Sequence, residues 1–349
     1  MGEPKDYSHE PEHVVVARAR ELVDKTLLEL HGDEAETPKG KGAFGQLLER
    51  LHFGYEPNSS PEVDFPVARL ELKATGALRR KQGWFAKERL VLSNINYSQL
   101  IDDVSFETSA FYFKNARLLV VVYHWTAATK PLDYKVIGVG VIDIADIDPA
   151  DRTIIENDWQ MIKDAVQAGR AHELSEGDTM YLKATRKGAG TGLDDRKQPN
   201  SPVPAPNRAF SFKQSFLTRL IQPFVPGVRK PEVGDEQRIV HDSGTLKIRS
   251  FEEVVLDRFE PFIGRTVEDI ALEVAADLNT KSKGYYADLA RSMLGVTTRR
   301  IEEFEKADIV MKTVRVNRFG RPKESMSFPA FRYRELVDQT WLDSDLREA

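Results

Sequence analysis

The 349-residue sequence contains no cysteine. Disulfide bonds and thiolate metal sites are thereby excluded, and a reducing, intracellular compartment is permitted without being required. No apolar run approaches the ~18 residues that a membrane-spanning helix needs, and no hydrophobic signal segment opens the chain. The expectation is a soluble, cytoplasmic protein. A strong charge imbalance is also missing: 50 Lys and Arg against 55 Asp and Glu leave a formal charge of −5. A nucleic-acid partner would therefore have to be held by local basic surface rather than by overall charge. The length is enough for two domains and a sizeable core.

The most informative stretch is EVDFPVARLELKATG, residues 62–76. Glu71 and Lys73 stand two residues apart, the spacing that puts two side chains on one face of a strand. Asp64 precedes them, next to Pro61 and Pro66, in a segment that reads as a turn or a strand start. Two carboxylates and a lysine converging at a strand end can hold Mg²⁺ and an attacking water beside a phosphodiester. Carboxylates are hard oxygen ligands for that ion. The metal acidifies the water and offsets charge on the phosphate, and the lysine orients the nucleophile or stabilises the transition state. In a chain this rich in charge, D-x6-E-x-K alone also arises by chance.

The flanks add specificity. Leu47, Leu48 and Leu51 have helical spacing, with a Gly-rich entry at Gly40, Gly42 and Gly45 and a stop at Gly54. The combination of K-G-x-x-G-Q-L-L-E (Lys41 to Glu49), D-F-x5-E-L-K, and E-T-S-x4-K (Glu107 to Lys114) before the apolar run 118–123 resembles the MutH endonuclease family. That family comprises the mismatch-repair nicking enzyme and GATC-cutting restriction enzymes of the Sau-three-A-I type. The resemblance covers about residues 10–225, and segments 87–97 and 172–182 are closer to the restriction branch. It implies a restriction-endonuclease-like α/β (α+β) fold, a mixed sheet flanked by helices, double-stranded DNA as the partner and a bacterial, nucleoid-associated location. It implies Asp64 and Glu71 as Mg²⁺ ligands, Lys73 as catalytic lysine, Glu49 as an additional active-site acid and Lys114 as a second lysine near the scissile phosphate.

Basic residues cluster in two places. Residues 183–230 carry ten Lys or Arg against Asp194 and Asp195, a balance of +8, and Arg79, Arg80 and Lys81 follow the catalytic strand. Solvated loops explain most such runs; flanking a phosphate site, they also suit DNA binding. The resemblance makes LKATRKGAG (182–190) a base-reading loop, with Arg186 or Lys187 donating to guanine and Lys213 contacting phosphate. Ser211 stands where the repair enzyme has tyrosine, a departure that puts any inherited adenine-methylation sensitivity in doubt.

Periodicity predicts helices over 12–31 (apolar side Val15, Leu22, Leu27, Leu30), 42–53 and 151–169 (Trp159, Ile162, Val166). Strands are predicted at 68–74, 88–95, 117–124, 135–143 and 181–185, and a strand entering a helix over 207–222. The expected organisation is a catalytic domain over 1–225, a Pro- and Gly-rich linker over 226–247, and a second domain over 248–349. That second part reads as a degenerate, incomplete copy of the first. KSKGYYADLARSMLG (281–295) echoes GKGAFGQLLERLHFG (40–54), and 304–328 echoes the catalytic strand and its successor. There Lys312 falls at the place of Lys73, Glu303 at that of Asp64, Val310 at that of Glu71 and Ala290 at that of Glu49. A valine cannot ligate Mg²⁺, so the copy is expected to bind DNA as an effector, not to cut. The leading reading is a type II restriction endonuclease, dimeric on a symmetric site. The alternatives are a mismatch-repair-type nickase and a non-cleaving DNA-binding effector module.

Overall fold

The computed structural model describes residues 5–32, 38, 40, 42–58, 60–188, 194–227, 234–274, 278–328, 330–337 and 341. Lys41, the end of the 183–190 loop, Arg229 and Lys230 lie outside the described residues. The chain divides into two compact units, one of residues 1–148, 159–174 and 184–230, the other of 149–158, 175–183 and 231–349. The division at 230/231 falls within the expected 226–247 linker. Two earlier segments, which sequence reading assigned to the first domain, cluster with the second unit.

In the first unit, β1 (Glu71–Arg80), β2 (Gly83–Ala86), β4 (Arg117–His124) and β5 (Val136–Asp143) form a mixed sheet in the order β2-β1-β4-β5. Strand β1 runs parallel to β4, with Glu71 opposite Leu118 and Lys73 opposite Val120. The other two pairings are antiparallel. Leu118 to Val122 are fully buried, as a strand covered on both faces requires. A second sheet, in the order β3-β7-β6, joins β3 (Leu90–Asn94), β7 (Arg208–Phe212) and β6 (Leu182–Arg186). Strand β2 has no counterpart among the predicted elements; Gly83 at φ 129° closes the tight hairpin that makes it.

The predicted 12–31 helix is broken. Helix α1 spans Glu12–Arg20 and α2 spans Leu27–His31. Between them Asp24 takes φ 65°, its N–H donates to Val136 O, and Lys25 O accepts from Val136 N–H, both at 2.9 Å. Pairing with the start of β5 outcompetes continuation of the helix. Thr26 then starts α2 with a capping box. Its hydroxyl accepts from Glu29 N–H at 3.1 Å and its own N–H donates to the Glu29 carboxylate at 2.7 Å. Helix α3 (Ala43–Leu47) passes into a π-helix, Leu48–Phe53, which ends at Gly54 in the left-handed region. Leu22, Leu27, Leu47, Phe53, Phe65, Leu70 and Leu119 meet in the core beneath.

Helix α4 covers Tyr97–Asp102, α5 Ala110–Asn115, α6 Pro149–Gln167 and α7 Gln214–Ile221. On β5, a Cβ placed at Gly140 would lie 2.1 Å from the Phe224 ring. Gly140→Ala is expected to destabilise the fold by about 1–3 kcal/mol through overpacking, read as a lowered urea midpoint with an unchanged slope.

The described regular structure of the second unit after residue 230 is mainly helical: α8 (Ser243–Leu246), α9 (Phe251–Phe259), α10 (Val267–Glu273), α11 (Tyr285–Met293), α12 (Glu302–Ala307) and α13 (Tyr333–Leu336). Residues 304–328, expected to repeat two strands, instead hold part of α12 and, among the described residues, one bridge between Val316 and Pro322. An extended segment needs a neighbouring strand for its ladder, and this unit offers it none among the described residues. Glu303, expected at the place of Asp64, is buried in α12 and accepts from the N–H groups of Ile239 and Val240 at 3.0 Å. Lys312 is exposed, donates to Ser327 O, and lies 5.2 Å from the Phe328 ring centroid.

Candidate active site

A tight turn brings Asp64 to Glu71. Phe65 and Leu70 exchange two backbone hydrogen bonds, of 2.9 and 3.2 Å, and Arg69 takes φ 54° to close the turn between them. The chain doubles back, so the Asp64 carboxylate accepts from Leu72 N–H at 2.8 Å. Asp64 thereby ties the turn to the start of β1, whose first residue is Glu71.

Glu71 is 4 % exposed. Its Oε1 accepts from Lys73 Nζ at 2.9 Å, on the same strand face. Lys73 Nζ also donates to Leu92 O of β3 at 2.9 Å. Lys114, from α5, donates to Ser60 O at 2.9 Å and Glu62 O at 2.5 Å. Its Nζ lies 3.2 Å from Glu71 Oε2, a charge contact that does not meet hydrogen-bond geometry. A buried carboxylate oxygen is thus left without a hydrogen bond, which normally costs free energy.

Glu49 sits in the π-helix, a local distortion frequent at functional sites, and lines the same cleft of ≈560 Å³ as Asp64, Glu71, Lys73 and Lys114. Burial pushes its carboxyl up to about 7, helped by the charges of Asp64 and Glu71. Burial and the charge of Glu71 raise Asp64 to about 6, against the pull of Leu72 N–H, Lys73 and Lys114. Three acids share this site with two lysines, and the field disfavours full ionisation. A cation would relieve that strain, and the orphaned Glu71 oxygen has a lone pair to give it. Mg²⁺ commonly takes one or two protein carboxylates and fills its shell with water and phosphate oxygens. Asp64 and Glu71 meet that requirement. A set of three His, Cys, Asp or Glu placed for a metal does not occur among the described residues.

The site residues named from sequence fall into two groups. The five central ones converge, and Lys187 joins them on the cleft wall, donating to Asn94 Oδ1 at 2.8 Å. Arg186 is half-buried at the end of β6. Arg79 and Arg80 end β1, about 26–30 Å along the strand from Glu71 at ~3.3 Å per residue, and Lys81 follows in the turn. Arg79 and Arg80 rest on the rings of Trp84 and Phe85. Lys213 is 9 % exposed at the N-cap of α7. The +8 segment is therefore only partly surface. Arg208 is buried and donates to Ala184 O and Leu174 O, and Lys183 pairs with Glu176 at 2.5 Å. Ser211 is fully buried and bonded to the Thr185 hydroxyl.

Sequence reasoning missed three features. The Leu92 carbonyl carries no side-chain signal. Asn94 is marked only by its place in a predicted strand. Tyr55 stacks edge-on to Phe65 at 5.7 Å and has a buried hydroxyl without a hydrogen bond among the described residues, its pKa raised by burial and by the three nearby acids.

An Asp and a Glu-x-Lys pair at the head of a strand inside a mixed sheet define the D…E-x-K class of α/β domains. The family described as DNA mismatch repair enzyme MutH matches residues 53–158. The chain is 36 % identical over 335 residues to the type II restriction enzyme Sau3AI of Staphylococcus aureus, covering 94 % of this chain and 66 % of that enzyme. It is 23 % identical over 216 residues to the DNA mismatch repair protein MutH of Vibrio campbellii, covering 59 % of this chain and 91 % of that protein. The chain belongs to the MutH/type II restriction endonuclease family. It spans 66 % of the length of its restriction-enzyme relative.

Proposed function

We propose that this chain is a Mg²⁺-dependent endonuclease for duplex DNA, of the type II restriction kind and directed to GATC. The observation that carries the reading is the convergence of Asp64, Glu71, Lys73 and Lys114 on one cleft, with a Glu71 oxygen left free of hydrogen bonds. Asp64 and Glu71 hold the ion, which when bound supplies an acidified water and offsets charge on the phosphate. Lys73, fixed between Glu71 and Leu92 O, presents its remaining proton to the attacking oxygen or to the phosphate. Lys114 holds the 60–62 loop against the site and adds a second positive charge. Glu49, at about 7, takes up or releases a proton at its carboxyl near neutral pH.

Lys187 reads a base edge or grips phosphate from the cleft wall. Lys213 and the 79–81 cluster act through phosphate on a longer DNA track. A symmetric cut needs two such sites, so two copies meet on the DNA. The second unit is a non-cutting, DNA-binding relative of the first. Three local parallels support this. Thr26 and Thr266 both cap a short helix by accepting from the residue three on. Gly42 and Gly284 open the next helix at φ −93° and −88°. Gly54 and Gly295 close it at φ 74° and 79°.

Supercoiled plasmids, methylated or unmethylated at GATC adenines, are to be incubated with Mg²⁺ or with EDTA. Mg²⁺-dependent linear fragments ending at GATC on both plasmids are expected. Nicked circles alone would assign the chain to the mismatch-repair kind. Binding without any cleavage would make it an effector module.

A further inference from the structure

The ammonium of Lys73 is held by a backbone carbonyl that lies at an irregularity in β3, the edge strand of its sheet. Strand β3 pairs with β7 as Leu90 with Phe212 and Val91 with Ser211, and the register then shifts by one residue before Asn94 meets Ala209. Leu92 and Ser93 occupy the shift. A bulge of this kind leaves ladder groups unpaired and re-aims them, and bulges concentrate beside active sites. Here the Leu92 carbonyl turns to Lys73 Nζ at 2.9 Å.

The next residue is tied down from another element. The Ser93 hydroxyl accepts from Asn115 Nδ2 at 2.9 Å, and the same amide nitrogen donates to Phe111 O at 2.8 Å. The nitrogen assignment is fixed, because a flipped amide would set its oxygen against the Phe111 carbonyl. Asn115 is fully buried at the end of α5, directly after Lys114. One side chain thus links the bulge that holds Lys73 to the helix that carries Lys114.

We propose that Ser93 and Asn115 are positioning residues: their hydrogen bond sets the bulge so that Leu92 O fixes the Lys73 ammonium beside Glu71. This rests on the reading of Asp64, Glu71 and Lys73 as the cleavage site. Removing the Ser93 hydroxyl leaves a buried amide proton unpaired and frees the bulge to relax. Lys73 then samples geometries away from the reacting atoms. A displacement near 1 Å costs up to about 100-fold in rate, while DNA contacts made elsewhere are untouched.

The test uses the full chain with Ser93→Ala, Ser93→Thr and Asn115→Ala. Threonine keeps the hydroxyl and suits a strand. The first readout is Lys73 reactivity with an amine-acylating reagent at one fixed pH, quantified by mass spectrometry against Lys135 as an exposed reference. Ser93→Ala and Asn115→Ala should raise it several-fold, and Ser93→Thr should restore the parent rate. The second readout is plasmid cleavage. In the two alanine variants kcat should fall about 10- to 100-fold at unchanged KM, with Ser93→Thr close to the parent. Lys73 labelling that stays at the parent rate in both alanine variants overturns the proposal. So does equal impairment by alanine and threonine at Ser93. A parent chain that does not cut at all refutes the endonuclease reading only, since labelling still decides whether the link holds Lys73.

Discussion

Glu71→Ala is expected to abolish cleavage and leave DNA binding intact. The Glu71 carboxylate holds Lys73 through Oε1 at 2.9 Å, and its Oε2, which accepts no hydrogen bond, lies 3.2 Å from the Lys114 ammonium; in the proposed reaction it is also a ligand of the metal. A metal ion at such a site is worth several kcal/mol of transition-state stabilisation, so its loss lowers kcat by at least about 10³-fold. The fold survives the change. Lys73 keeps Leu92 O and Lys114 keeps Ser60 O and Glu62 O, so neither ammonium is buried without a partner. Duplex binding, measured by fluorescence anisotropy in EDTA, should be equal to or tighter than the parent's, because one negative charge has left the phosphate site. Lys312→Ala is the matched control. That lysine is exposed, donates to Ser327 O, lies over the Phe328 ring and is not one of the residues lining the cleft, so cleavage should change by less than about twofold. Undiminished cutting by Glu71→Ala would remove this cleft from the reaction.

What the sequence made legible follows from what side-chain spacing can encode. The pair Glu71 and Lys73 was readable because strand geometry fixes where i and i+2 point. Strands β4 and β5 were readable as unbroken apolar runs. Asp64 was placed by resemblance; its physical basis, the Phe65–Leu70 turn, depends on a positive φ at Arg69 that no propensity announces. The π-helix was invisible because Leu47, Leu48 and Leu51 fit an α-helix equally well. The break at Asp24 was missed because its cause, Val136, lies over a hundred residues away.

Charge was the least reliable guide. Arg208 looked like DNA-binding surface, yet it is 4 % exposed and satisfies two backbone carbonyls. A long basic side chain serves a core or a ligand equally, and only its neighbours decide which. The Leu92 carbonyl marks the same limit from the other side: a backbone group acquires a role from register, and register is a property of two strands at once.

Acid should act on this protein through His52, over the same range in which the raised Glu49 and Asp64 carboxyls take up protons. His52 closes the π-helix that carries Glu49, and it is 1 % exposed. Its Nε2 donates to Arg18 O at 2.7 Å, so in the neutral ring Nδ1 is the acceptor, and it faces His31 Nε2 at 3.1 Å. Arg18 Nε in turn donates to His52 O at 3.0 Å. A second proton on His52 would turn its one acceptor into a donor, aimed at another donor in a buried place beside a guanidinium. Burial is the main reason that its pKa drops from 6.5 to about 3, and burial lowers that of His31 too. The folded state therefore refuses a proton that the unfolded chain accepts. Above pH 6.5 neither state binds it and nothing is lost. Between pH 6.5 and about 3 the unfolded state is favoured progressively, by about 1.4 kcal/mol per pH unit. Glu49 and Asp64, raised to about 7 and about 6, act in the opposite sense over this range, so the contribution of His52 is read as a difference between two chains that share them. His52→Gln keeps a donor for Arg18 O and cannot charge, so its stability should be lower at pH 7.5. In urea unfolding the parent's margin over His52→Gln should shrink by about 2 kcal/mol from pH 6.5 to 5.0. A margin that stays constant would mean that the histidine pair takes up its proton without cost, and that the link from α1 to the Glu49 helix does not depend on a neutral ring.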